Sequence, residues 1–73
     1  MIKFIIKITT KDDLVLTGGE QEAPNEEVFQ AVVDGLLKSI GSGNFKLTDE
    51  DNDVIIIPQA MISQSIVQVI KTN

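Results

Sequence analysis

Positions 49 to 53 read Asp-Glu-Asp-Asn-Asp and hold the densest group of possible metal ligands in this 73-residue sequence. Asp49, Asp51 and Asp53 match the alternating carboxylates that open a calcium-binding loop. The match ends at Val54, where such a loop needs a glycine for its sharp turn, and at Ala60, where it needs a bidentate glutamate. The segment therefore predicts a solvated hairpin turn, and we expect no dedicated metal site.

The side chains that most often act as catalytic bases and nucleophiles are missing from the sequence. It contains no His, Cys, Tyr or Arg, so proton transfer would depend on carboxylates or lysines. The adjacent acids Asp12 and Asp13 fall at a predicted turn, and Glu26 and Glu27 at a predicted helix start, where solvated acids are ordinary. Without Cys or His there is also no disulfide and no zinc site of the usual kind. We expect a protein that is not an enzyme and that has no cofactor.

Two glycine-containing segments could be compared with phosphate-binding loops. Gly18 and Gly19 precede an acidic connection, and the second segment, residues 41–44, follows a predicted helix instead of opening one. Neither connects a strand directly to the start of a lysine-bearing helix, as a phosphate loop requires. We interpret both as turns. An alternative function is nevertheless an oligomer that binds a small anionic ligand, such as a nucleotide, through loop amides and a nearby lysine.

The charges argue against a nucleic-acid interface. The net charge is −5, from 11 acidic residues and six lysines, whereas nucleic-acid binding depends on clustered positive charge. Lys3, Lys7 and Lys46 could form a small basic stripe, but lysines on an edge strand more often prevent edge-to-edge aggregation. The opposite hypothesis is a DNA mimic, whose carboxylates imitate phosphates. The acidic run available for that purpose is modest and consists of Glu20, Glu22, Glu26, Glu27 and Asp34.

These residues are positioned by short strands around one helix. Eleven Ile and seven Val outnumber five Leu, and this β-branched bias predicts a sheet-rich fold. Alternation and β-branched runs predict five strands, at Ile2–Thr9, Leu14–Thr17, Phe45–Thr48, Val54–Ile57 and Ser65–Lys71. The first two strands form a hairpin that turns at Thr10–Asp13, and the next two form a second hairpin around the acidic segment.

One amphipathic helix is predicted from Asn25 to Ile40. Its apolar stripe keeps helical spacing throughout, at Val28, Phe29, Val32, Val33, Leu36, Leu37 and Ile40. Asn25 can cap the first free amides, and Gly41 can end the helix. Gly35 costs a helix about 1 kcal/mol relative to Ala, and we expect it to permit close packing against a neighbouring element.

The C-terminal segment is open to two interpretations. A helix face could be formed by Met61, Ile62, Ile66, Val69 and Ile70. The β-branched run around Gln68 favours a strand instead. Residues Pro58–Ile62 would then form a tight turn or a single 3₁₀ turn.

The predicted order is β-β-α-β-β-β within one domain that spans residues 1–73. Such segregated elements indicate an α+β fold, an antiparallel sheet with one helix packed across one face. The alternative is a small, partly open barrel. The sequence shows no signal peptide and no apolar stretch of about 20 residues, so we expect a cytoplasmic protein with no membrane contact.

More strand positions are apolar than one helix can cover. We predict a second apolar sheet face, and its candidate interface residues are Ile5, Val15, Ile55, Ile57, Val67 and Val69. Strands that are apolar on both faces are usually buried on both faces, and a chain of this size has a small core. The pattern therefore favours a homo-oligomer, first of all a dimer, with a protein partner that the sequence does not identify. A monomer with scattered surface Ile and Val is the alternative.

The hairpin "MIKFIIKITTKDDLVLTG", the amphipathic helix and the segment "VIIIPQAMISQSIVQVI" resemble the small proteins that bacteriophages and prophages of low-GC Gram-positive bacteria encode. The resemblance covers most of the chain and implies accessory work by binding, such as host takeover, counter-defence or regulation, usually without catalysis. The segment from Ile57 to Ile62 also resembles the end of Sm-like small barrels, which implies association with nucleic acid. Sm-like proteins carry their helix before the five strands, whereas the helix predicted here lies between the second and third strands.

Overall fold

The computed structural model describes residues 1–73 and contains six strands, one long helix and one helical turn. In chain order these are β1 (Ile2–Thr9), β2 (Val15–Thr17), β3 (Gln21–Ala23), α1 (Glu26–Gly41), β4 (Phe45–Thr48), β5 (Val54–Ile57), α2 (Gln59–Ile62) and β6 (Ile66–Lys71). The predicted α+β class with antiparallel pairing is confirmed. All five predicted strands are present, and the C-terminal segment is a strand after a single α-helical turn.

Strand β1 is the centre of a four-stranded antiparallel sheet. On one edge it pairs with β6, from Phe4 opposite Lys71 to Thr9 opposite Ile66. On the other edge β2 lies against the C-terminal end of β1, and β3 lies against its N-terminal end. Strands β2 and β3 thus follow each other along the same edge of β1, and residues 18–20 separate them. We call these two strands the β2–β3 row. The sequence predicts an acidic connection after Gly19 and no strand there, so β3 is an addition to the predicted fold.

Strands β4 and β5 form a separate two-stranded sheet that docks at this interruption. The amide of Gly19 donates to the carbonyl of Thr48 at 3.0 Å, and the amide of Gly18 donates to Ile6 in β1 at 2.8 Å. A Cβ atom on Gly18 would lie 2.9 Å from Cδ1 of Leu47, so only glycine fits this approach without movement. The two sheets do not close on each other, and the barrel alternative is wrong.

The core lies on one face of β1 and has two neighbouring clusters. The larger cluster joins β1, the β4–β5 hairpin and α2 through Ile6, Ile8, Phe45, Leu47, Ile57 and Ile62. The smaller cluster joins Phe4 of β1 to Ala23 and to Phe29 of α1. The rings of Phe4 and Phe29 meet edge to face, with centroids 5.3 Å apart. The helix therefore shares this face with the hairpin, instead of covering the sheet alone as the sequence predicts.

Helix α1 begins as its sequence predicts. The side chain of Asn25 accepts a hydrogen bond from the amide of Val28 at 2.9 Å, and Glu26 and Glu27 occupy the first turn. The expectation for Gly35 is wrong, because no atom lies within 4 Å of the position that its Cβ would take. Leu37 is 67% exposed although it belongs to the apolar stripe. No helix of the structure combines the length and the apolar character needed to cross a bilayer.

Candidate interaction site

The acidic turn between β4 and β5 is organised by its own hydrogen bonds. Oδ1 of Asp49 accepts the amides of Asp51 and Asp53, at 2.9 and 3.0 Å. Asn52 takes a positive φ of 63°, a conformation that Asn tolerates well. The carboxylate oxygens of Asp49, Asp51 and Asp53 come within 4.8 Å of one another. The predicted hairpin turn is therefore present, and turn formation accounts for this clustering.

The two glycine-containing segments use their amides inside the chain. Gly18 and Gly19 donate to carbonyls of β1 and β4, as described above. The amide of Gly43 donates to Oε1 of Gln59 at 3.1 Å, and the amide of Ser42 donates to a carbonyl in the last turn of α1. These four loop amides are thus engaged within the fold and are not free to bind a small anionic ligand.

An open cleft of about 470 Å³ lies between α1, β4 and β1. Its rim includes Gly35, Ser39, Asn44 and Lys46, and Lys46 is its single cationic side chain. Lys3 and Lys7 lie on the opposite face of β1, because they alternate with its buried residues. The three lysines considered for a basic stripe are therefore divided between two sides of the sheet.

Acidic residues before and at the start of α1 contact the C-terminal end of the chain. Glu26 forms an ion pair with Lys71 of β6 at 3.3 Å, and Lys71 also lies 4.9 Å from the ring centroid of Phe29. Glu20 accepts a hydrogen bond from the hydroxyl of Thr72 at 3.1 Å. These acids therefore help to fix the end of β6 against the helix and the β2–β3 row.

The sheet face opposite the core is uncovered, and we call it the outer face. Antiparallel register places Ile5 beside Ile70 at one end of this face, and Thr9 between Val15 and Ile66 at the other. Val15 is 50% exposed and Ile66 is 64% exposed. Ile5 and Val15 thus lie on one common face, as the alternation of their strands predicts.

The two valines of β6 lie on the other side of the sheet. Val69 pairs with Ile6 and Val67 pairs with Ile8, so both valines face the core with their β1 neighbours. Their assignment to the second face is therefore reversed. Ile66 and Ile70 are the residues of β6 that lie on the outer face. The alternation shows which residues share a face, but only the pairing with β1 decides which face is inward.

The hairpin residues in the candidate interface also point inward. Ile57 is 1% exposed and belongs to the larger core cluster, and Ile55 packs against the same cluster. Ile57 is buried and cannot line an external surface, and Ile55 is half-buried on the same inward side, so this part of the prediction is corrected. The exposed apolar residues of β5 are instead Val54 and Ile56, at 59% and 60% exposure.

The free edge of β6 is a second exposed feature, and the sequence predictions do not include it. This strand pairs only with β1, so its other edge carries unpaired main-chain groups. Beside it runs a small apolar groove of about 90 Å³, lined by Val33, Leu36, Leu37, Ile40, Val67 and Val69. One feature of the sequence could have drawn attention to this strand. Residues 66–70 read Ile-Val-Gln-Val-Ile, which is the same in both directions.

The uncovered outer face and the open edge of β6 are thus the two main exposed features of this α+β chain. Comparison with protein-family models, with curated proteins and with solved structures finds no match to this chain.

Proposed function

We propose that this chain is a non-enzymatic, cytoplasmic interaction protein that self-associates and binds a protein partner. The observation that carries the proposal is the amount of apolar surface left uncovered. Only 11 of 73 residues are buried, while nine large apolar side chains are exposed. Two of these side chains, Val15 and Ile66, flank Thr9 on the outer face, and exposed apolar patches are typical of protein-binding sites.

The outer face has the composition of a small interface. Ile5 and Ile70 form a half-buried pair, and Val15 and Ile66 extend the apolar surface toward the far end of β1. Lys7, between these two groups, supplies a polar position on the same face. Thr17 and Gln68 flank Lys7, so the outer face has two apolar patches separated by a polar row.

The resemblance to small phage and prophage proteins supports the same proposal. Proteins of that kind act by binding, as regulators or as counter-defence factors, usually without catalysis. We therefore place the chain among phage-encoded accessory proteins as part of this proposal. The engaged loop amides and the divided lysines give the nucleotide and nucleic-acid alternatives no comparable support.

The test compares the outer face with the exposed face of the hairpin. The first variant carries Val15→Thr and Ile66→Thr, and the matched control carries Val54→Thr and Ile56→Thr, which have similar exposure. Threonine keeps the β-branched shape and adds a hydroxyl, so both variants should fold. Sedimentation measurements from micromolar to millimolar concentration should show weaker association for the outer-face variant than for the control. An 8.0 kDa wild-type monomer throughout that range, or equal losses in both variants, would contradict the proposal.

A further inference from the structure

We infer that two copies of this chain pair through the free edge of β6, with the two β6 strands antiparallel about a two-fold axis. The inference rests on the self-association in the proposed function and assigns it to a particular strand and register. The result is one continuous antiparallel sheet across both subunits, with the two β6 strands at its centre.

The main-chain groups of β6 that face outward follow from its pairing with β1. The amide of Thr72 donates to the carbonyl of Lys3 at 2.8 Å, so residue 72 directs its main-chain groups toward β1. Main-chain direction alternates along a strand. The amides and carbonyls of Val67, Val69 and Lys71 therefore face the open edge, where no strand of the same chain pairs with them.

This edge lacks the usual protection against strand addition. Residues 66–70 contain no charge and no proline, and the single charged residue of the strand, Lys71, is its last and pairs with Glu26 of the same chain. The pairing of β6 with β1 is continuous, without a bulge. Natural proteins normally guard such an edge with one of these devices or keep the strand short. The other edges of this fold are protected in that way. Strands β2 and β3 have three residues each, and β4 and β5 have four each, with Pro58 directly after β5.

The sequence of β6 makes a second copy the partner that fits this edge. Because residues 66–70 are palindromic, a two-fold axis at Gln68 places Ile66 opposite Ile70 of the partner subunit, and Val67 opposite Val69 of the partner subunit. The same register places Lys71 opposite Ser65 of the partner subunit, so no like charges meet. Val67 and Val69 both direct main-chain groups outward, so they become the hydrogen-bonded pairs that antiparallel geometry requires.

The pairing also covers apolar surface on both sides of the sheet. On the helix side, the partner's Val67 and Val69 lie next to the groove that includes Leu37, which is exposed in the single chain. On the outer face, Ile66 and Ile70 gain isoleucine neighbours across the axis. Cross-strand pairs of β-branched side chains stabilise antiparallel sheets. One strand addition therefore provides main-chain hydrogen bonds and burial together.

The test places charges at the two-fold axis. In the proposed register each Gln68 lies opposite Gln68 of the partner subunit, with Cα atoms about 4.5 Å apart in a non-hydrogen-bonded pair. Gln68→Lys and Gln68→Glu are each measured alone and then mixed in equal amounts. The matched controls are Thr17→Lys and Thr17→Glu, because Thr17 and Gln68 are both cross-strand neighbours of Lys7 on the outer face.

Each Gln68 variant alone should dissociate more readily than the wild type, since like charges meet at the axis. The mixture of Lys and Glu variants should associate about tenfold more tightly than either variant alone, because opposite charges then meet. The interaction of residue 68 with Lys7 of the same chain is the same in the mixture and in each variant alone. A tighter association of the mixture therefore reports contact between subunits. The Thr17 variants should show no gain on mixing. Far-UV circular dichroism confirms that every variant is folded.

Three outcomes would overturn the inference. A wild-type protein that stays monomeric to millimolar concentration removes both this inference and the self-association that it specifies. Association that persists in all variants, with no gain on mixing at position 68, removes the β6 pairing but leaves self-association standing. An equal gain on mixing the Thr17 variants would move the interface to the β2 edge.

Discussion

A methyl group added at Gly18 would test how closely the two sheets approach each other. The Cβ of an alanine there would lie 2.9 Å from Cδ1 of Leu47 and 3.3 Å from the carbonyl oxygen of Thr48. Leu47 is only 2% exposed, so its side chain has little room to move away. The Thr48 carbonyl also accepts the hydrogen bond from Gly19 that joins the sheets. Gly18→Ala should therefore push the hairpin away from β1.

The expected cost is the difference between two effects. Overpacking in a well-packed core destabilises by about 1–3 kcal/mol. Replacing glycine by alanine reduces the entropy of the unfolded chain, which returns about 0.4–1 kcal/mol. The net loss in the free energy of unfolding should be about 1–2 kcal/mol. For a domain of this size, each kcal/mol corresponds to about 4–8 °C in Tm, so Tm should fall by roughly 5–15 °C.

Gly35→Ala is the matched control for Gly18→Ala. The same change of residue meets nothing within 4 Å at this helical position, and alanine is favoured over glycine in helices by about 1 kcal/mol. Gly35→Ala should therefore raise Tm while Gly18→Ala lowers it. Both are measured by thermal and urea denaturation at one fixed protein concentration, because association would make Tm depend on concentration.

A double-mutant cycle with Leu47→Val tests the cause of the Gly18 effect. This substitution removes the Cδ1 atom that the new methyl group would contact. Gly18→Ala should then cost less in the Leu47→Val background than in the wild type, because neighbouring residues couple energetically. An equal cost in both backgrounds, or a Gly18→Ala protein as stable as the wild type, would refute the steric explanation.

Two further substitutions test other contacts. Asp49→Ala should destabilise by about 1 kcal/mol, because two turn amides lose their shared acceptor. Asp49→Asn keeps that oxygen and should stay close to wild type in urea denaturation, and equal losses would contradict the turn explanation. Phe29→Leu should cost at least about 1 kcal/mol by removing the edge-to-face contact with Phe4. Near-wild-type stability of this variant would show that the smaller core cluster contributes little.

Local sequence signals predicted the elements that carry a strong period or a cap. Alternation predicted the full extent of β1, from Ile2 to Thr9, and the asparagine cap predicted the start of α1. Strand β3 has neither signal, since Gln21–Ala23 includes two polar residues and no β-branched one. It forms because β2 covers only the C-terminal end of β1, which leaves main-chain groups at the N-terminal end to be paired. That requirement is tertiary and does not appear in a local window.

The candidate site could also be predicted only in part, because the face on which a strand residue lies depends on pairing between strands. The pattern gave the correct face for Ile5 and Val15, which lie on strands of the first hairpin. It gave the wrong face for Val67 and Val69, because both sides of β6 are equally apolar. Similarly, it could not show that Ile57 would be covered by the sheet and α2. Where a strand is apolar on both faces, its orientation depends on its register with a neighbour.

The positions of the exposed apolar residues favour pairing at the β6 edge over contact through the outer face alone. Leu37 and Ile66 have nearly equal exposure, 67% and 64%, yet they lie on opposite sides of the four-stranded sheet. A partner that docks flat on the outer face would cover Ile66 and leave Leu37 in water. A strand added beside β6 borders both residues, because one face of the new strand continues the outer face and the other continues the groove under α1. One contact then accounts for two exposed features that a face-to-face dimer would leave separate.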